Sequence, residues 1–268
     1  MARLFDDGSN EYLEFAGTPP VTGFPLAMAA WFYSDNTALP QTLVSLGESG
    51  GTDYWIRIAA AGDTEGDPVH AQIEGTNNGN AYTSTDYSAN TWHHAIGVFA
   101  ANDDVRAFID GGSKGTDDHG SGWEGTWDRV AIGRLVRSSP LHYMSGRIAH
   151  AAIWDLSDWL GATASDKADE FERVAVPALA AGYSPDFFPL GLKAHYRLDE
   201  AVGTANAFDH VGHYDMTAYN SPSVADHPGG LIFPSAAIWT PQVSAPPAGN
   251  APTGVLSGSL VGPFGGPI

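Results

Sequence analysis

An all-β chain folded as two stacked antiparallel sheets is the architecture this sequence predicts, on three observations. Its 32 glycines and 18 prolines punctuate it at short intervals. The runs between them alternate like half-buried strands, and helix-forming composition is confined to one stretch. With 268 residues, 43% of them hydrophobic and 11% aromatic, the chain can bury the core of one large β domain or two small ones.

Taken in order, residues 26–33 (LAMAAWFY) and 54–59 (YWIRIA) read as strands. Residues 91–99 (TWHHAIGVF) place Trp92, His94, Ile96 and Val98 on one face, because side chains alternate along a strand. The next run, VRAFIDGG, ends in an Asp110-Gly111 turn suited to a tight hairpin. Residues 129–135 (RVAIGRL) and 146–155 (GRIAHAAIWD) add two more strands. Several of these runs are apolar on both faces, as expected in the middle of a two-sheet sandwich. Residues 163–182 break the pattern: one short helix is expected there, with Thr163 or Ser165 as N-cap, Pro177 as an interruption and Gly182 as the stop. After it KAHYRL alternates again, with Lys193, His195 and Arg197 predicted to face water and Ala194, Tyr196 and Leu198 a core.

The sandwich is therefore expected over residues 1–234, with a helical insertion at 163–182 and late strands at 191–220 that complete the sheets. Residues 235–268 are rich in Pro, Gly, Ser and Ala and lack ionisable side chains. Such a segment cannot bury enough surface to order by itself. Its Val255, Leu256, Leu260, Val261, Phe264 and Ile268 suit an extended assembly arm that orders along another subunit.

Composition excludes several classes. Twelve Lys and Arg against 31 Asp and Glu give a net charge of −19, which argues against nucleic acid or an anionic membrane as partner. No apolar run is long enough to insert in a membrane, and charge near the N-terminus predicts no export signal. The absence of cysteine removes disulfides, thiolate chemistry and Cys-type zinc sites.

Six pieces, FDDGSNEYLEF, LAMAAWFY, TWHHAIGVF, VRAFIDGG, VAIGR and MSGRIAHAAIWDLSDWL, follow the order of the laminin-G-like, concanavalin A-like jelly-roll family, which residues 5–160 resemble. The resemblance implies a jelly-roll sandwich of a kind found in phage virion and bacterial surface proteins. The family's usual opening segment is matched only late, by GLKAHYRLDEAVGTANAFDHVG from Gly191; the late ribbon is therefore expected to supply the strand normally placed first, as in a circular permutation. The resemblance also implies a calcium site near the start, where Asp6, Asp7, Asn10 and Glu11 offer oxygens. At the family's second acidic position stand Ala149 and His150.

Catalytic constellations are incomplete. GESGG around Ser49 matches a nucleophile elbow, but a strand rather than a helix follows it. Glu65 and Asp67 are the nearest to a glucanase acid pair, yet His70 stands where a third acid belongs. His93 and His94 fall on opposite faces of a strand, and His210 with His213 lacks a third ligand. Trp123 beside Asp117, Asp118 and His119 is a candidate sugar site, a ring for stacking next to polar groups for hydroxyls. Trp127 is expected to plug the end of the sandwich.

Taken with the resemblance, these features predict a non-enzymatic virion protein made in a host cytoplasm, a phage decoration or tail-associated subunit. It would attach to other virion proteins, or to copies of itself, through residues 235–268, and display a lectin-like sandwich toward host-surface glycans. The alternative is a carbohydrate-binding lectin-like module, calcium-dependent or not, and the third reading is a glycoside hydrolase.

Overall fold

Ile96 and Val98 point to one side of their strand and Ala95 and Phe99 to the other, and all four are fully buried. Two sheets alone do not explain this; a third layer does. The computed structural model describes residues 1–120, 125–202 and 205–234, and these form two antiparallel sheets with helices packed outside one of them.

The first sheet contains β1 (Ala2–Phe5), β3 (Leu26–Ser34), β8 (His93–Ala101), β9 (Asp104–Ile109), β10 (Gly112–Asp117), β12 (Gly146–Asp155), β13 (Leu192–Tyr196) and β15 (Ser223–Ala225). Its order is β10-β9-β8-β3-β12-β1-β15, with β13 also paired to β12. The second sheet runs β14 (Thr217–Tyr219), β2 (Tyr12–Ala16), β11 (Arg129–Ile132), β4 (Pro40–Gly47), β5 (Trp55–Ala61), β6 (Pro68–Glu74) and β7 (Gly79–Asp86). Leu26, Met28, Phe32, Leu46, Ile56, Ile58, Val130 and Ile148 fill the core between them.

The expected hairpin is present. Asp110 (φ 50°) and Gly111 (φ 78°) form a two-residue turn, and Gly112 pairs with Ile109. The helical stretch divides into α1 (Ala164–Val174) and α2 (Val176–Ala180). Thr163 caps α1 in a reciprocal capping box with Asp166, and Pro177 lies in the first turn of α2, where its missing N–H costs nothing. Phe171 meets Trp154 and Trp159 edge-on, with ring centroids 5.3 and 5.1 Å apart, and Ala168, Val176 and Leu179 join Ile96, Val98 and Ala29 in a second core. The strands apolar on both faces are thus those roofed by helices, a correction to the two-layer explanation.

β13 pairs with Ala151–Trp154 of β12, while β1 pairs with residues 146–148 of the same strand. β3 holds the opposite side of β12, so the first strand and the late strand lie end to end along one side of it. Ala194, Tyr196 and Leu198 enter the core. His195 does not face water: it is fully buried, its Nδ1 2.9 Å from Asp186 Oδ1 and its Nε2 3.2 Å from His150 Nδ1. The short helical turn Pro185–Phe187 covers the side that alternation assigned to solvent.

Glycine sets the closure of the sandwich on one side. A Cβ on Gly115 of β10 would lie 1.7 Å from the carbonyl oxygen of Tyr82 on β7, so strands of opposite sheets meet there backbone to backbone. Residues 1–234 form one compact unit, and a second, 235–268, lies outside the described residues.

Candidate functional site

Among the described residues no helix covers the outer face of the second sheet, and its side chains are mostly polar and aromatic. Alternation requires this, because Leu13, Val130, Val44, Ile56, Ile58, Ala71 and Ala81 take the inward positions. Across the seven strands Thr217, Glu14, Ala131, Ser45, Arg57, Gln72 and Asn80 fall in register on the outer side, with Arg129 and the pairs Tyr219–Tyr12 and His70–Tyr82 in the neighbouring rows. At about 4.8 Å between strands, the row runs about 29 Å.

Rings stack in pairs near both ends. Tyr219 stacks on Tyr12 with centroids 4.6 Å apart and planes 7° apart, and Arg134 lies 4.1 Å over the Tyr12 ring while pairing with Glu14. At the other end Tyr82 stacks on His70 at 4.1 Å and 17°. Tyr82 is 39% exposed.

Between them, residues 133–144 fold back over β4. Ser45 Oγ donates to Arg134 O at 2.8 Å and accepts from Val136 N at 3.1 Å, and Thr42 N donates to His142 O at 2.8 Å. This flap sets His142 and Tyr143 against Asp7, Leu39 and Pro40 around a cleft of about 330 Å³. Arg57, 5% exposed, lies under the flap and outside the residues that line the cleft. Its Nε donates to Gln72 Oε1 at 2.9 Å and its Nη1 to Thr42 Oγ1 and His142 Nδ1. Burial lowers the Arg57 pKa to about 10. Burial, then the Arg57 charge, pushes His142 down to about 4, so it accepts from the guanidinium as a neutral ring. A larger open depression of about 450 Å³ is lined by Phe108, Lys114, Asp169 and Glu172, whose charges are already paired, Lys114 with Glu172, and Glu172 and Asp169 with the buried Arg106.

The residues singled out from sequence fall elsewhere, with one exception. Asp6 caps a short helical turn, Oδ1 accepting from Gly8 N at 2.9 Å and Oδ2 from Ser9 Oγ at 2.8 Å, and Glu11 Oε2 accepts from Asp6 N. Asn10 ends that turn in the left-handed region. Asp7 alone lines the cleft. Asp117, Asp118 and His119 do come together, with ligand atoms within 4.8 Å of one another. Among the described residues this is the group of such side chains close enough to share an ion. Asp117 also accepts from Asn80 N and from the backbone of His119, and both acids hold the His119 pKa up. Trp123 and the arm residues Val255, Leu256, Leu260, Val261, Phe264 and Ile268 lie outside the described residues. Ser49 sits in the β4–β5 turn, its hydroxyl donating to Asp128 Oδ2 at 2.8 Å. Trp127 is buried against Phe24, as expected of a plug.

Sequence reasoning missed Arg57, Gln72, His142 and Tyr143. The signal was present, since Trp55-x-Arg57 and His70-x-Gln72-x-Glu74 each put polar or amphipathic groups on one strand face. The flap residues carried none.

A family model described as the concanavalin A-like lectin/glucanases superfamily, of laminin-G type, matches residues 7–157. The chain belongs to this superfamily. The lectin-like jelly roll is also the fold of a Bacteroides ovatus protein inferred to bind carbohydrate, at TM-score 0.53 and 14% identity over 84% of this chain. This chain spans 61% of that protein's length. Other superfamily-like structures are mouse laminin α1 domains LG4-5, with TM-score 0.43 and 13% identity over 58% of this chain and 42% of that one, and domain 4 of the Geobacillus stearothermophilus arabinanase AbnA in complex with arabinotriose, with TM-score 0.40 and 16% identity over 56% and 67%. No curated protein matches in sequence.

Proposed function

We propose that the chain is a carbohydrate-binding, lectin-like module that holds an extended glycan across the outer face of the second sheet. The observation that carries this reading is the row itself. Stacked rings at Tyr82 with His70 and at Tyr12 with Tyr219 flank a cleft walled by Tyr143 and His142. Rings of this kind stack on the apolar faces of sugars, while neighbouring amides, hydroxyls and guanidinium groups take the sugar hydroxyls. The inferred carbohydrate binding of the Bacteroides neighbour supports it. A glycan array followed by calorimetry tests it: Tyr143→Ala is expected to weaken the best array ligand about tenfold, the value of one stacked ring. An unchanged affinity in Tyr143→Ala, or an array without ligands, overturns the reading.

In this reading the module binds without turnover. Ser49 is engaged as a turn clamp on Asp128, and Asp67 sits in a turn at φ 51°. Calcium is proposed only as an accessory, and repeating the array with chelator measures its part. The finer reading, a virion decoration or tail subunit, rests on the sequence of residues 235–268. Deleting residues 244–268 is expected to leave a folded, monomeric sandwich that binds the same glycan and no longer incorporates into its particle. Normal incorporation of the truncated chain sinks the attachment role.

A further inference from the structure

We propose that residues 231–234 are an acid-sensitive latch: protonation of the buried His150–His195 pair releases them from residues 182–184 and frees the chain at the point where residues 235–268 begin. The inference is independent of which ligand the module binds.

The latch is held lightly. Ile232 N donates to Gly182 O at 2.7 Å and Ser184 N to Ile232 O at 2.8 Å, so this strap runs parallel to the chain that leaves α2. The backbones come close there, since a Cβ on Gly182 would meet Gly230 O at 2.8 Å. The Phe233 ring sits 5.3 Å from the His150 ring, and the Arg197 guanidinium lies 5.4 Å over it. Phe233 is 42% exposed and His150 is 4% exposed, which makes the Phe233 ring an outer layer over a buried imidazole. Two backbone hydrogen bonds and one half-exposed ring give a segment of low local stability.

The pair beneath it has no good place for an extra proton. His195 Nδ1 donates to Asp186 Oδ1, so its Nε2 accepts from His150 Nδ1 across 3.2 Å. A second proton between these facing nitrogens would set two N–H groups against each other, and a proton on the remaining nitrogen of His150 would make it a buried cation. The surroundings oppose both. Arg197, His227 and the Met1 amine act on His150 through space, and Arg197 and His210 act on His195. The counter-charges are Asp186, shared between His195 and Arg197, and Asp209, whose oxygens accept from the backbone N–H groups of His195, Val211 and Gly212.

Burial, then the His195 ring, holds the His150 pKa down to about 3, whereas an imidazole released to water titrates near pH ~6.5. The open form therefore binds more protons below about pH 6.5 and gains on the closed form as the pH falls. Lifting Phe233 wets His150 while the β12–β13 pairing that holds His195 stays intact.

The test is residue-resolved amide exchange of the full chain at pH 7.5 and 5.0, followed at Ser184 and Ile232 with Ile96 of β8 as the core reference. Protection at Ser184 and Ile232 is expected to lie well below that of Ile96 at both pH values and to fall about thirtyfold at pH 5.0, the linkage of one histidine released to water. His150→Phe should abolish that fall. Phe233→Ala, which removes the cover and no titrating group, should bring the His150 ring to titrate near pH ~6.5 by NMR. Strap amides with the same protection at both pH values, or that exchange only together with Ile96, overturn the latch. So does a His150→Phe chain that keeps the pH dependence, or a His150 ring that still titrates at about 3 without Phe233.

Discussion

Replacing Gly115 by alanine is expected to destabilise the protein by about 3 kcal/mol or more, the upper part of the range for overpacking in a close-packed region. The added methyl would sit 1.7 Å from the Tyr82 carbonyl oxygen and 2.4 Å from its carbon. Both are backbone atoms in a strand paired along its length with β6, so neither can rotate away as a side chain would. β10 and β7 must part, and the nearby ties between them, Thr85 Oγ1 to Ser113 Oγ at 2.6 Å and Asn80 N to Asp117 Oδ2 at 2.6 Å, would be strained or lost. Gly112 is the control within the same strand: a Cβ there meets nothing within 4 Å, and Gly112→Ala should lie within about 0.5 kcal/mol of the native chain. Urea unfolding of the two variants measures the difference. Equal stabilities would mean that the sheets do not touch at this edge.

The second large effect is acid lability. His70, His94 and His150 are buried and have pKa values lowered to about 3, and His142 is lowered to about 4. In each case burial is the first cause. For His150, the neighbouring imidazole of His195 and the guanidinium of Arg197 push the same way. The folded state keeps these rings neutral, whereas the unfolded chain protonates them below about pH 6.5. Between the two values the unfolded state binds more protons, so stability is full above about pH 6.5 and falls as the pH drops toward 4 and 3. A tenfold difference in proton affinity between the folded and unfolded chain is worth about 1.4 kcal/mol, so even after discounting partly solvated His142 the summed loss is several kcal/mol. Asp186 acts in the same sense at lower pH. Its hydrogen bond to His195 comes first among the groups that depress its pKa, and that stabilisation is lost below about pH 4, where the unfolded carboxyl takes up a proton. Urea unfolding at pH 7.5, 5.5 and 4.5 should show a steady decline. His94→Phe should flatten the profile, because the His94 Nδ1 atom is buried without a hydrogen-bond partner and its ring already packs beside Trp31 at 5.0 Å. A stability profile flat from pH 7.5 to 4.5 would mean that these rings are solvated.

What the sequence disclosed and what it hid follow from the range of the interactions involved. Asp110-Gly111 and the Thr163 N-cap are local devices whose chemistry is complete within four residues; the turn is where the pattern placed it, and the cap is the first of the two residues, Thr163 and Ser165, that the pattern offered. The laminin-G order of strands was legible because each strand keeps its own alternation. His195 was misassigned because alternation gives a side chain's direction but not its cover, and the cover comes from Pro185–Phe187 and His150. The strands apolar on both faces were read as sandwich interior for the same reason, since only the docking of Phe171 on Trp154 shows that a helix supplies the second contact.

The proposed binding face was hidden by its construction from neighbouring strands. Arg57 opposes Gln72 and His70 opposes Tyr82, pairings fixed by register and invisible in either strand alone. Trp55-Ile56-Arg57-Ile58 therefore reads as one more apolar strand. His142 and Tyr143 reach the site through a flap whose path depends on Ser45, far away in sequence. Of the oxygen-bearing group Asp6, Asp7, Asn10 and Glu11 that stands out near the start of the chain, Asp7 reaches the cleft, while Asp6 and Glu11 serve the turn that presents it.

Amide hydrogen exchange with the best array ligand bound tests the assignment of the binding face most directly. Slowed exchange is expected in β2, β5, β6 and the 133–144 flap, with β3, β8 and β12 beneath the helices unchanged. Protection confined to the first sheet, or to the loop around Asp117, would place the ligand on another surface and contradict the assignment.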